Sequence, residues 1–127
     1  MKTILILFLC IQVTLAWSQS DAHNFPIEKG ALTCPLTSDK GKIVSVYNGE
    51  VMSVVHHDRF SYAVIIKHGD YYSVYAGIDH TELIKGALVS TSQEIGNIAS
   101  GNESKFNFEL WKNVEKLDPK DWVACLN

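Results

Sequence analysis

Five histidines, two cysteines beyond residue 20 and a polar cluster near the C-terminus are the side chains with the means to do chemistry in this 127-residue chain. Imidazole and carboxylate groups bind zinc, which activates water when about three protein ligands leave one coordination position open. One set has that composition: His68, His80 and Glu109. The simpler reading of His68 is a hydrogen bond within the turn His68-Gly69-Asp70. His56 and His57 are adjacent, so on a strand they face opposite ways and do not chelate together. His23 belongs to the N-terminal stretch.

A second cluster suits binding rather than catalysis. On a strand through residues 105–112, Lys105, Asn107, Glu109 and Trp111 fall on one face while Phe106, Phe108 and Leu110 fall on the other, core face. Tyr62, Tyr71, Tyr72, Tyr75 and Trp111 are an aromatic set able to shelve a glycan or a peptide. Plain strand packing is the competing account, since sheets favour aromatics.

The elements that must position these residues read as strands, because period-2 alternation dominates. Residues 42–47 and 50–55 flank Asn48-Gly49, a strong hairpin signal. Residues 62–67 and 71–76 flank His68-Gly69-Asp70 as a second hairpin. Residues 83–98 predict short strands joined by turns, and 105–112 a last strand. Asp118-Pro119 predicts an N-capped helical turn over 119–123.

Residues 1–20 read as a secretory signal, with Lys2 before an apolar stretch too short to span a membrane comfortably. Residues 21–28 are expected to be a mobile segment and 29–127 a single domain, exported to the periplasm or the exterior, with no membrane span in the mature chain. The formal charge of -3 comes without a Lys/Arg cluster, which excludes an electrostatic nucleic-acid binder. Cys34 and Cys125 would form a disulfide in an oxidising compartment, or remain two buried thiols.

The stretch Tyr62-Ala63-Val64-Ile65-Ile66-Lys67-His68-Gly69-Asp70-Tyr71-Tyr72-Ser73-Val74-Tyr75-Ala76-Gly77 resembles the centre of lysostaphin/LytM-type peptidoglycan metallopeptidases, V-I-x-H-G-x-x-x-T-x-Y-x-H. The last His of that pattern is catalytic, and Gly77 stands in its place. Lys105-Phe106-Asn107-Phe108-Glu109-Leu110-Trp111 is similar to the family's H-L-H-F-E-I-W, with Lys105 and Asn107 at the two histidines. Gly49-Glu50-Val51-Met52-Ser53-Val54, the glycines and Gln93 in 85–96, and Pro119 with Trp122 near the end match further blocks, so the resemblance runs over 29–123. The family's H-x-x-x-D ligand block has no counterpart: its positions fall on Glu28 and Leu32, or the segment is deleted and residues 29–36 are a K-G-x-L-x-x-P-v lead-in.

The resemblance therefore implies a small all-β antiparallel sandwich of the LytM, duplicated hybrid type. It implies a degenerate, non-catalytic member resembling the murein hydrolase activator EnvC, without the coiled-coil arm such activators carry. The expected function is to bind at the cell wall and to activate or scaffold a murein hydrolase, with peptidoglycan or a cell-wall amidase as partner and no cofactor. His68, Tyr75, Lys105, Asn107, Glu109 and Trp111 are the candidate groove residues. The alternatives are a zinc endopeptidase using other ligands, a plain peptidoglycan-binding module, or a structural subunit of an envelope complex.

Overall fold

The computed structural model describes residues 28–37, 41–57, 61–98 and 106–126, with the backbone alone of His57 and Ser61. The expected signal segment, nearly all of the expected mobile stretch, His23 and Lys105 lie outside the described residues. The alternating runs form strands β1 (Lys42–Val44), β2 (Gly49–His57), β3 (Ser61–His68), β4 (Tyr71–Ile78), β5 (Leu88–Val89), β6 (Glu94–Asn97), β7 (Asn107–Lys112) and β8 (Glu115–Leu117). One helical turn, α1 (Pro119–Trp122), follows.

Six strands make one sheet in the order β5-β2-β3-β4-β7-β8, and β1 pairs with β6 in a second sheet; every strand pair is antiparallel. Ile43 from β1 and Ile95 from β6 belong to one buried cluster with Val51, Val64, Ile66, Tyr75, Phe108 and Leu110 of the larger sheet. Burying an apolar side chain of this size stabilises by roughly 1.5–3 kcal/mol, so this cluster holds the two sheets face to face. The protein is all-β, as its alternation predicts, and has the small antiparallel architecture that the resemblance implies. Among the described residues no helix is long and apolar enough to cross a membrane.

Two strand connections differ from the sequence expectation. Asn48-Gly49 does not turn β1 into a hairpin with β2, because β1 pairs with β6, Lys42 facing Asn97 and Ile43 facing Gly96. Gly49 instead opens β2, where a Cβ would lie 2.5 Å from the Lys67 carbonyl oxygen and 2.7 Å from His68 Nδ1. Glycine stands there for close approach to β3, not for a turn. The second hairpin forms as expected: β3 and β4 pair from His68 facing Tyr71 onward, through Gly69 at φ 68°.

The chain's last third adds a strand that alternation did not signal. β8 pairs with β7 after a turn at Asn113, which takes φ 52° and donates its backbone N–H to the Asp70 carbonyl at 2.9 Å. Asp118 caps α1 by accepting the Lys120 N–H at 3.1 Å. Leu32 then bridges Val123 in parallel, and its N–H reaches the Trp122 carbonyl at 3.1 Å. Beside that bridge Cys34 and Cys125 are joined in a disulfide, with Cα atoms 5.9 Å apart.

Candidate functional site

The face of the large sheet turned away from the small one carries three cross-strand rows. Ser53, Ile65, Val74 and Glu109 lie side by side on β2, β3, β4 and β7. Lys67, Tyr72, Trp111 and Lys116 form the row on one flank, and Val55, Ala63, Ala76 and Asn107 the row on the other. Facing residues in an antiparallel pair have Cβ atoms about 5 Å apart, so each row is a contiguous strip. A groove of about 540 Å³ opens here, with Ile65 and Val74 as floor and Tyr72, Glu109 and Trp111 on one side. Met52 closes another side because the β2–β3 register slips between Val51 and Ser53. Asn113 and Val114 of the β7–β8 turn complete the lining, Val114 being 92% exposed.

Glu109 is held in place by its own strand. Trp111 Nε1 donates to Oε1 at 2.9 Å and Asn107 Nδ2 to Oε2 at 3.1 Å. Lys116 on β8 brings its ammonium to 3.8 Å from Oε2. The strand parity read from sequence holds in β7: Phe108 and Leu110 are buried, while Asn107, Glu109 and Trp111 share the groove face.

Two candidate groove residues stand elsewhere. His68 is 2% exposed and lies on the core face of β3, with Val64 and Ile66. Its Nδ1 bonds the Asn48 carbonyl at 2.7 Å and its Nε2 bonds Ser73 Oγ at 2.7 Å. A carbonyl only accepts, so Nδ1 carries the proton and Nε2 accepts from Ser73. Burial pushes the imidazole pKa down to about 4, so it is neutral near pH 7. Tyr75 is fully buried, packs on Phe108 with ring centroids 5.4 Å apart, and accepts the Val46 N–H at 3.1 Å. That burial raises its hydroxyl pKa to about 12.

The aromatic set divides in the same way. Tyr72 and Trp111 line the groove, whereas Tyr71 packs against Trp122 at 6.0 Å and Tyr62 stacks on His56 at 4.6 Å. His80 is exposed, beside Glu82 at 4.0 Å and bridged through its backbone to Asn97. His68, His80 and Glu109 therefore do not assemble, and among the described residues no three His, Cys, Asp or Glu side chains form a metal-holding group. Leu32 is a core residue and Glu28 is exposed, so neither alignment of the missing ligand block supplies a donor pair.

The residues at the resembling positions do not fit zinc. Asn107 offers at most a neutral amide oxygen, a weak zinc ligand, while its Nδ2 donates to Glu109. Gly77 has no side chain, and its backbone is built for that lack. Tyr62 faces Ile78 while Ala63 faces Ala76, so Gly77 is the extra residue of a bulge, at φ 86°. A side chain in this left-handed region costs roughly 1–2 kcal/mol. Gly77→His is thus expected to lower stability by about that amount in urea unfolding without releasing muropeptides from isolated walls. Unchanged stability, or hydrolysis, would contradict the bulge as a glycine-specific device.

Of the groove lining, sequence reasoning missed Met52, Ile65, Val74, Asn113 and Val114. Alternation puts Ile65 and Val74 on one face of their strands, a signal open to reading; Met52 depends on the bulge, and Asn113 and Val114 on the unforeseen β8.

Comparison with solved structures finds the same fold in several proteins. Csd3 of Helicobacter pylori matches with 25% identity and a TM-score of 0.57, over 67% of this chain and 24% of that one. A zinc-containing peptidase from Vibrio cholerae matches with 26% identity and a TM-score of 0.54, over 64% and 26%. A chain of the SpoIIQ–SpoIIIAH pore-forming complex matches with 22% identity and a TM-score of 0.56, over 65% and 56%. The protein thus spans about half of the last of these chains and about a quarter of the other two. No curated protein matches it. Residues 34–119, more than half of the chain, match the model of peptidase family M23, and the protein belongs to that family.

Proposed function

We propose that this protein is an exported, catalytically inactive M23 domain of the EnvC-like kind, which binds at the cell wall and activates or scaffolds a murein hydrolase there. The observation that carries the reading is what stands at the resembling positions: Gly77 as the extra residue of a β4 bulge, and Asn107 on β7 hydrogen-bonded to an anchored Glu109. General acid–base catalysis needs a group within reach whose proton moves near neutral pH. At these positions the chain offers a glycine, an amide and a carboxylate held by two donors. The same sheet face carries a groove lined by Ile65, Val74, Tyr72, Glu109 and Trp111, and a concave apolar site with a few fixed polar groups is a default binding site. The SpoIIQ–SpoIIIAH assembly is a precedent for this fold within a two-protein complex, which supports the scaffold role.

The test loads the purified protein with zinc, dialyses it extensively, measures bound metal and assays isolated walls. The expected result is little retained zinc, no soluble muropeptides, and co-sedimentation with walls or acceleration of an added amidase. Near-stoichiometric zinc with muropeptide release would replace this reading with that of a zinc endopeptidase.

A further inference from the structure

We propose that the groove is a cation subsite, in which the Glu109 carboxylate and the rings of Tyr72 and Trp111 receive a primary ammonium on an apolar stem, as at the end of a lysine-type side chain of a short peptide. The inference rests on the wall-binding reading above and names the chemistry the groove would recognise.

Charge complementarity is the first argument. Among the described residues of the groove lining Glu109 is the one charged side chain, and the floor beside it, Ile65 and Val74, is apolar. An ammonium on a methylene stem meets both halves of that surface. Orientation is the second. Trp111 Nε1 and Asn107 Nδ2 each hold one carboxylate oxygen, so the charge stays at the groove instead of swinging into solvent. A carboxylate has about four acceptor positions, and these donors take two. Tyr72 and Trp111 face each other across β4 and β7 at this point. Aromatic faces attract a cation within about 6 Å of the ring centroid.

Lys116 shows what this carboxylate attracts. Its ammonium stands 3.8 Å from Glu109 Oε2, too far for a hydrogen bond, and both side chains are partly exposed. Such a pair is weak, so Lys116 does not close the carboxylate to a second cation. Size favours a short peptide. About 540 Å³ lies in the small-ligand range.

The test titrates the protein with the blocked tripeptide acetyl-Ala-Lys-Ala-amide and with its Nε-acetyl-lysine counterpart at low salt. The Trp111 indole N–H resonance is followed, because that proton sits on Glu109. The expected result is saturable binding of the free amine, about tenfold weaker for the acetylated peptide. Glu109→Gln, which keeps an acceptor for Trp111, should also weaken binding about tenfold. Lys116→Met should strengthen it by removing the competing cation, a direction that misfolding does not mimic.

Equal response to both peptides, no response to either in the millimolar range, or indifference to Lys116→Met would overturn the subsite. Saturable binding only to a basic protein partner would overturn it too. A protein that sediments with walls yet ignores the ammonium peptide loses the subsite but keeps the wall-binding reading. One that binds the peptide but not walls keeps the subsite and loses that reading.

Discussion

Replacing Cys34 and Cys125 with serine is expected to destabilise the protein by about 4 kcal/mol, lowering the unfolding midpoint by roughly 15 °C or more. The bridge spans 91 residues of sequence, so in the chain-entropy account it removes a large loop-closure entropy from the unfolded chain. In the folded chain it ties the strand-like entry segment to the residues just after α1. The polar ties at that junction are modest. Leu32 and Val123 form a single bridge with one hydrogen bond to Trp122. Lys29 and Asp121 pair at 3.8 Å, both well exposed, and pairs of that kind contribute at most about 1 kcal/mol. Without the covalent link, the two ends would rely on these contacts and on the burial of Leu32 and Val123 in the core cluster. Urea unfolding of the oxidised protein and the double variant measures the difference; a change within about 1 kcal/mol would show that the two ends hold without the bridge.

Acidification should destabilise the protein through His68 by about 3 kcal/mol. Its pKa is about 4 in the fold, against 6.5 when exposed in the unfolded chain. Between those values the unfolded chain binds the proton and the fold refuses it. The contribution of His68 is therefore complete above pH 6.5, falls as the pH drops toward 4, and levels off below. The cause is structural: the ring is buried, and a protonated Nε2 has no lone pair left to accept the Ser73 hydroxyl. Asn48, at the other nitrogen, opposes the shift but does not cancel burial. The measurement is urea stability against pH for the wild type and for His68→Gln, which carries the same carboxylates. A shallower slope in the variant between pH 6.5 and 4 is expected. Parallel curves would mean that His68 stays charged or becomes solvated in the fold.

The functional content of both effects is that the resembling motif now serves the core. In the pattern around His68-Gly69-Asp70 the histidine secures the β3–β4 hairpin to the Asn48 loop, and Gly49 admits it by leaving no Cβ in its way. The chemistry left to the groove rests on Glu109, Trp111 and Tyr72.

What the chain's sequence determined by itself was local. Period-2 alternation placed β2, β3, β4 and β7 within a few residues and put Asn107, Glu109 and Trp111 on one face of β7, since side-chain direction along a strand needs no partner. The β3–β4 hairpin was equally legible, because Gly69 and Asp70 set it between adjacent runs. Which face of each strand becomes the interior is a different kind of fact. Tyr75 faces Phe108 across β4 and β7, and so belongs to the core rather than the groove; that register depends on residues 33 positions apart. The small sheet then decides which side is covered. It forms only because β1 leaves the Asn48-Gly49 signal unused and pairs with β6, some fifty residues on. Met52 in the groove, His68 in the core and the pairing of Cys34 with Cys125 all follow from tertiary contacts of this sort. Alternation fixes two faces per strand, but burial chooses between them, and burial is a property of what packs on top.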